Sequence, residues 1–381
     1  MKDVFVVADN IFSPLGSTTA ENLLSLNDYK SGVKTHGKLF SQPSVCNASL
    51  FAEDYFLEEN NLEAFTRFEK MLVHSIEDAL KESSVDIQNS RTIIVISSTK
   101  GNISLLETTP ATSKRNHALA ITTSAKKVAD WFGNPNQPIV VSNACISGMA
   151  ALLVAKRYIQ SGRADHAIVT GADCITRFVY SGFEALQALS PGKCMPFVKH
   201  RSGINLGEAA ATIILSKQPA SGIQAVCISG GAISNDANHL TGPSRTGQEL
   251  AMAIQKAMKE ATLHPSQIGF VSAHGTATQY NDQMEANALS IVGLRDVPVN
   301  SLKGYFGHTL GAAGLLESVV TVSSMRDNII FPTYGFQHHD DAIPLNVIEK
   351  MGHLTFSHAL KIASGFGGCN AALVFSKCNN N

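Results

Sequence analysis

Gln137-Pro-Ile-Val-Val-Ser-Asn-Ala-Cys145-Ile-Ser-Gly148-Met-Ala-Ala-Leu-Leu-Val-Ala-Lys156 is the stretch that decides how this chain folds. Pro138 to Val141 is a short, apolar, β-branched run, the signature of a buried strand. From Met149 onward a helix-like run continues without Gly or Pro until Ser161-Gly162. Cys145 therefore falls where a strand turns into a helix. Free backbone N–H groups and the positive end of the helix dipole at such a junction favour a thiolate, which makes a cysteine nucleophilic. The helix is apolar on nearly every side, so it is expected in the middle of the molecule with the thiol at the floor of a pocket. The competing reading is a small core hydrophobe, the usual fate of a free cysteine. The rest of the chain has to decide between them.

With 381 residues the chain suffices for one large domain or two intimately packed ones. The formal net charge of -1 gives no reason to expect nucleic acid or a membrane surface as partner. Seven cysteines (Cys46, Cys145, Cys174, Cys194, Cys227, Cys369, Cys378) form no CxxC pair, which suggests a reduced cytoplasmic protein rather than a disulfide framework or a zinc site. The apolar run Val4–Val7 is too short for a signal peptide, and no run reaches the length of about eighteen residues needed for a membrane helix.

Apolar strands alternate with helical stretches along the whole chain. Strands are expected at Asp3–Ala8, Thr92–Ser97, Pro138–Val141, Ala167–Thr170, Ala211–Leu215, Ala225–Ser229, Ile268–Ala273 and Val297–Asn300, with short ones closing the chain at Met351–Leu354, Leu360–Ser364 and Ala371–Phe375. Residues Ile11–Gly16 read as a loop and Tyr29–Leu57 as irregular. Continuous apolar strands separated by helices predict a mostly parallel sheet covered on both faces. The helix opening at Gly311 looks like a counterpart of the one after Cys145: each follows a polar strand end and is rich in small residues. This predicts a duplicated molecule, with halves 1–218 and 219–381.

At the ends of second-half strands lie His274-Gly-Thr276-Ala-Thr278 and Lys303-Gly-Tyr-Phe-Gly307-His308. Open α/β sheets place ligands beyond the carboxyl ends of their strands, so both histidines stand where a site is expected. Each alone could be a hydrogen-bonded structural residue; with Cys145 they form one constellation. The cluster Ser364-Gly-Phe366-Gly367-Gly-Cys-Asn370 leads into a strand. A phosphate-cradling loop would open a helix instead, so these glycines are read as bringing backbone close to the site, with Phe366 N–H an oxyanion donor, or as a tight turn between strands.

In this order and spacing, these pieces resemble the β-ketoacyl-acyl-carrier-protein synthases, condensing enzymes of the thiolase fold. The resemblance rests on Ser-Asn-Ala-Cys145, Gly207-Glu208-Ala-Ala, Asp236 to Pro243, His274-Gly-Thr-Ala-Thr, Asn281-Asp282 with Glu285, Lys303 with Gly307-His308, Gly311 to Gly314, and Gly365-Phe366-Gly-Gly368. It implies an α/β fold of two pseudo-duplicated halves in five α-β-α-β-α layers, a homodimer, and a Cys145–His274–His308 triad of the elongating class. It implies no cofactor and no metal.

Cys145 is then the nucleophile that holds an acyl group. His274 and His308 donate to the malonyl thioester carbonyl during decarboxylation, and the Cys145 and Phe366 N–H groups hold the oxyanion, with Gly367 beside them. Lys303 orients and polarises the site, Glu317 braces that network, and Thr276 and Thr278 support it. The partner implied is an acyl carrier protein, delivering acyl and malonyl groups to a basic patch for which Arg67, Lys70, Lys199 and Arg201 are candidates. Departures such as Pro196-Phe197-Val198, Arg201-Ser202-Gly203-Ile204, Gly207-Glu208-Ala209 and the N-terminal Val7-Ala-Asp-Asn10 point to a specialised member making polyene or polyketide chains. Two other classes of function are a silent partner subunit of a heterodimeric condensing enzyme and a binding scaffold. An intact triad argues against both.

Overall fold

The computed structural model describes residues 3–37, 45–56, 62–238, 240–337 and 343–378. Ten strands join in one sheet: β1 (Phe5–Phe12), β2 (Thr92–Ser97), β3 (Ile139–Val141), β4 (His166–Asp173), β5 (Ala209–Ser216), β6 (Val226–Asn235), β7 (Phe270–Ser272), β8 (Val299–Asn300), β9 (His358–Gly365) and β10 (Cys369–Lys377). Their spatial order is β8-β7-β9-β10-β6-β1-β5-β4-β2-β3. The two middle strands, β1 and β6, meet through only two residue pairs, Phe5 with Cys227 and Val6 with Val226. Outward from that seam, β1-β5-β4-β2-β3 pair antiparallel, antiparallel, parallel, parallel. On the other side β6-β10-β9-β7-β8 repeat the sequence of directions. Each strand thus corresponds to the strand five places later, and the duplication expected from the two small-residue helices is present in the topology.

Helices complete the layers: α1 (Arg67–Lys81), α2 (Ile121–Trp131), α3 (Ser147–Gln160), α4 (Gln248–Ala261), α5 (Gln279–Ile291) and α6 (Ala313–Asp327). One core packs α1 and α2 on the outer face of the first half-sheet through Met71, Leu72, Ile76, Ala125 and Val128. Another packs α4 and α5 on the second through Leu250, Ile254, Met284 and Leu289. Between the half-sheets lie α3 and α6, whose Met149, Leu152, Leu315, Val319 and Val322 share a core with strands of both halves. The result is five layers. α6 is buried from Ala313 through Met325 on every side: most of its side chains are small or apolar, Ser318 and Thr321 bond carbonyls one turn back, and Glu317 is paired with lysines. The crossing of α3 and α6 is close because of glycine: a Cβ on Gly148 would lie 2.8 Å from Leu315 N, and one on Gly314 would lie 3.1 Å from Met149 N.

The sheet is mixed and not mostly parallel, since five of its nine strand pairings are antiparallel. A strand covered on both faces is apolar along its length whichever way it runs, so the pattern carries no direction. The first strand also runs on to Phe12, through residues expected to form a loop. Within the stretch expected to be irregular, Lys34–His36 pairs with Cys46–Ser49, and that strand with Leu206–Gly207; residues 38–44 and Leu57 lie outside the described residues. The short strand at Gly352–His353 pairs with Ile329–Ile330, apart from the main sheet. Among the described residues no helix is long and apolar enough to cross a membrane.

Candidate active site

Cys145 sits in the turn between β3 and α3, with only 8% of its surface exposed. The turn is tight: Ala144 adopts φ 42, and Ser147 Oγ both donates to Ala144 O (2.6 Å) and accepts from Asn143 N (2.8 Å). The end of β9 presses on it, and a Cβ on Gly365 would stand 2.9 Å from Cys145 N, so only glycine fits there. From the turn after β8, His308 brings Nε2 to 3.0 Å from Cys145 Sγ. From the turn after β7, the His274 ring meets that of His308 edge to face at a centroid separation of 5.2 Å. The sulfur and one nitrogen of each ring lie within 4.8 Å of one another, so the three residues expected to act together are brought together.

Burial dominates the electrostatics. The Cys145 thiol is pushed up to about 12, chiefly by desolvation and secondarily by Cys369, against the pull of Lys303, the Phe366 N–H and Lys100. The resting group is therefore a thiol, not the thiolate expected from the strand–helix junction. The helix N-terminus acts on a sulfur removed from water, and desolvation is the larger effect. Both imidazoles are held well below their ordinary value, first by burial and then by Lys303, with Lys361 adding to each. They are neutral at neutral pH. Nδ1 of each ring has no hydrogen-bond partner among the described residues.

Lys303 and Glu317 are both buried and form an ion pair. The sequence reading missed a third member, Lys361 on β9. Its Nζ lies 2.7 Å from Glu317 Oε2 and donates to the carbonyls of Ser272 (3.2 Å) and Ala273 (3.1 Å), just before His274. The signal was a lysine inside an otherwise apolar strand, Ala359-Leu-Lys-Ile-Ala363. Behind His274, Glu285 accepts from His274 N (2.6 Å) and Gly275 N (2.7 Å), and Asp282 from Thr276 N (3.0 Å) and Phe197 N (2.9 Å). Two α5 carboxylates thus fix the backbone of the His274 turn.

The Phe366 N–H favours the charged form of the Cys145 sulfur, and Phe366, 37% exposed, stacks its ring on Phe183 at 5.7 Å. Gly367 supplies no oxyanion donor: its N–H is already bonded to Leu240 O at 2.6 Å, and its φ of +85 instead makes the turn that presents Phe366. The hydroxyls of Thr276 and Thr278 are 2.7 Å apart. Two cavities meet at Cys145 and Phe366. One, about 440 Å³, contains His274, His308, Thr276 and Thr278. The other, about 490 Å³, is walled by Phe178, Val179, Phe183, Leu186 and Leu310, with Lys100 and no histidine.

The expected basic patch is not present as such. Arg67 pairs with Glu208 (2.6 Å), and Lys70 is buried with Nζ on Phe56 O (2.7 Å). The Arg201 side chain, 4% exposed, donates to Val198 O (3.0 Å) and Thr278 O (3.3 Å). Only Lys199 is exposed. A sequence shows charge but not which carbonyls a folded backbone turns toward it.

Comparison with known proteins agrees with this geometry. The β-ketoacyl synthase N-terminal domain family matches residues 2–220, and the C-terminal domain family residues 225–337. A Streptomyces cyaneus protein described as a polyketide β-ketoacyl synthase is 33% identical over 68% of this chain and 65% of its own length. The 3-oxoacyl-[acyl-carrier-protein] synthase 2 of Vibrio cholerae is 29% identical over 98% of this chain and 99% of that protein. The crystal structure of a β-ketoacyl synthase from Burkholderia phymatum superposes with a TM-score of 0.89 at 26% identity, over the whole of both chains. A duplicated fold that closes a cysteine and two histidines around one cavity wall, matched through both halves, places this chain in the β-ketoacyl synthase family of condensing enzymes.

Proposed function

We propose that this protein elongates an acyl chain by decarboxylative condensation, with the acyl group held on Cys145 and malonyl delivered by an acyl carrier protein. The observation that carries the reading is the 3.0 Å approach of His308 Nε2 to a thiol pushed up to about 12. A thiol so weakly acidic needs a base within reach, and His308 is neutral and in contact. In the first step Cys145 Sγ bonds to the acyl carbonyl, the carrier's C–S bond breaks, and the thiol proton passes through His308 to the departing carrier thiolate. In the second, malonyl-carrier occupies the cavity with both histidines. The bond to its carboxyl group breaks, carbon dioxide leaves, and the electron pair becomes an enolate held by His274 and His308 as neutral donors. The enolate carbon then bonds to the acyl carbonyl, whose oxyanion faces the Cys145 and Phe366 N–H groups. The Cys145–acyl bond breaks, and the thiolate released takes up a proton from solvent by way of His308, which lies 3.0 Å from the sulfur.

The apolar cavity without histidines suits the acyl chain, and the division at Phe366 keeps the two substrates apart. Lys303, Glu317 and Lys361 fix the histidine turns, Thr276 and Thr278 line the malonyl side, and Gly367 sets the Phe366 turn. Residues 1–218 supply the nucleophile and 219–381 the histidines, in a cytoplasmic homodimer. The departures in sequence favour a polyene or polyketide chain. Cys145→Ala tests the assignment: self-acylation, followed by intact-protein mass spectrometry, is expected to vanish, while carbon dioxide release from malonyl-carrier continues. Condensation at the wild-type rate would falsify the nucleophile.

A further inference from the structure

The apolar cavity beside Cys145 contains one charge. Lys100 lines it together with Phe178, Val179, Phe183 and Leu186, and no aspartate or glutamate is among the lining residues. Among the described residues the Lys100 ammonium has no hydrogen-bond or ion-pair partner. Its backbone is nevertheless held firmly. Lys100 N–H donates to Asp173 Oδ1 (3.1 Å) and Ser98 Oγ (3.4 Å), and Thr99 N–H donates to Asp173 Oδ2 (2.9 Å). Asp173, fully buried at the end of β4, also accepts from Gly311 N at 2.8 Å, so the turn after β2 is tied to the N-terminal end of α6. Lys100, half-buried at this fixed turn, lines the chamber that Cys145 shares, and its charge is felt at the sulfur. Thr99, the nearest polar neighbour on the chain, has its hydroxyl engaged by Asp173 at 2.9 Å and offers Lys100 nothing.

A cation on an apolar wall with no counterion is complementary to an acceptor that the protein does not supply. We propose that Lys100 is a specificity-determining residue which selects acyl groups carrying an oxygen acceptor, carboxylate or carbonyl, at the end remote from the thioester. This rests on the reading of the apolar cavity as the acyl chamber. A hydrogen bond from an ammonium is worth enough to favour an oxygen-ended chain by roughly ten- to a hundredfold over a methyl-ended one of equal length. An ammonium that merely reached water would leave the two ends undistinguished.

The experiment compares rates of Cys145 acylation, followed by intact-protein mass spectrometry, for carrier-bound acyl thioesters of matched length ending in methyl, in a methyl ketone or in a carboxylate, across a length series. The preference ratio is the readout, because any influence of Lys100 on the sulfur itself cancels from it. Wild type is expected to prefer the oxygen-ended chains at the length that reaches Lys100. Lys100→Met is expected to abolish the preference, and Lys100→Arg to retain part of it. A carboxylate favoured over the ketone identifies an anion, and equal rates identify a neutral carbonyl; either supports the proposal. A wild type indifferent to the chain end, or a preference unchanged in Lys100→Met, overturns it while leaving the condensing activity in place. A wild type that neither acylates Cys145 nor releases carbon dioxide from malonyl-carrier overturns both.

Discussion

Cys145 and His308 stand 3.0 Å apart, and which of them owns the proton decides how the site starts. Burial holds the thiol high and both imidazoles low, so the resting pair is thiol and neutral imidazole. On the proposed mechanism His308 is the base in acylation as well as a donor in decarboxylation, whereas His274 is a donor alone. His308→Ala is therefore expected to slow acylation and carbon dioxide release alike, and His274→Ala only the release. Each affected step should fall on the order of a hundred- to a thousandfold, as for loss of one oxyanion donor. Stopped-flow acylation and separate carbon dioxide measurements decide it. Wild-type acylation in His308→Ala would mean that the helix N-terminus activates the cysteine without a base. At this scale the sequence singled out Cys145, His274, His308, Lys303 and Glu317, which the fold buries close together, because each sits in a short motif. It misled about the state of the thiol, for which the strand–helix junction gave the expectation of a thiolate, because desolvation depends on everything packed around the sulfur.

Two elements control the site from outside it. The α3–α6 crossing is so close that Gly148→Ala would set a methyl 2.8 Å from Leu315 N, a backbone atom that cannot swing away. A cost of about 1–3 kcal/mol is expected from such overpacking, read as a lower midpoint in chemical denaturation. Acylation should slow as well, because Gly148 is one turn from Cys145. Helix α5 sets a pH dependence. Its Asp282 is pushed up to about 6, first by burial, and its Glu285 to about 7, by burial and then by Asp282. Carboxyl groups in the unfolded chain titrate near about 4. The folded state thus keeps protons that the unfolded chain releases, so this contribution to stability is full below about pH 4 and is lost as pH rises through about 6 to 7. Glu285→Gln should flatten that part of the curve of melting temperature against pH. An unchanged curve would show that the pair does not titrate in this range.

At the scale of the molecule, the seam between half-sheets is slight, with two residue pairs between β1 and β6, so the halves are held mainly through α3 and α6. Expressed alone, residues 219–381 would expose the apolar surface of α6, and we expect aggregation or loss of cooperative melting. Co-expression with 1–218 should restore a soluble complex that acylates Cys145. A separately folded second half with a sharp melting transition would contradict the dependence of each half on the other's central helix. The sequence by itself determined the alternation of strand and helix, the two apolar small-residue helices, and the motifs whose cysteine and two histidines the fold brings together, because periodicity and short motifs are local properties. Only the tertiary structure decided the directions of the strands, the burial of Lys361, Lys70 and Arg201, and the partition of the space around Cys145 into a chamber with histidines and one with Lys100. The physical reason is that each depends on what lies across a layer: a doubly covered strand is apolar in either direction, and a lysine's charge says nothing about whether its neighbour in space is water, a carbonyl or an empty apolar wall.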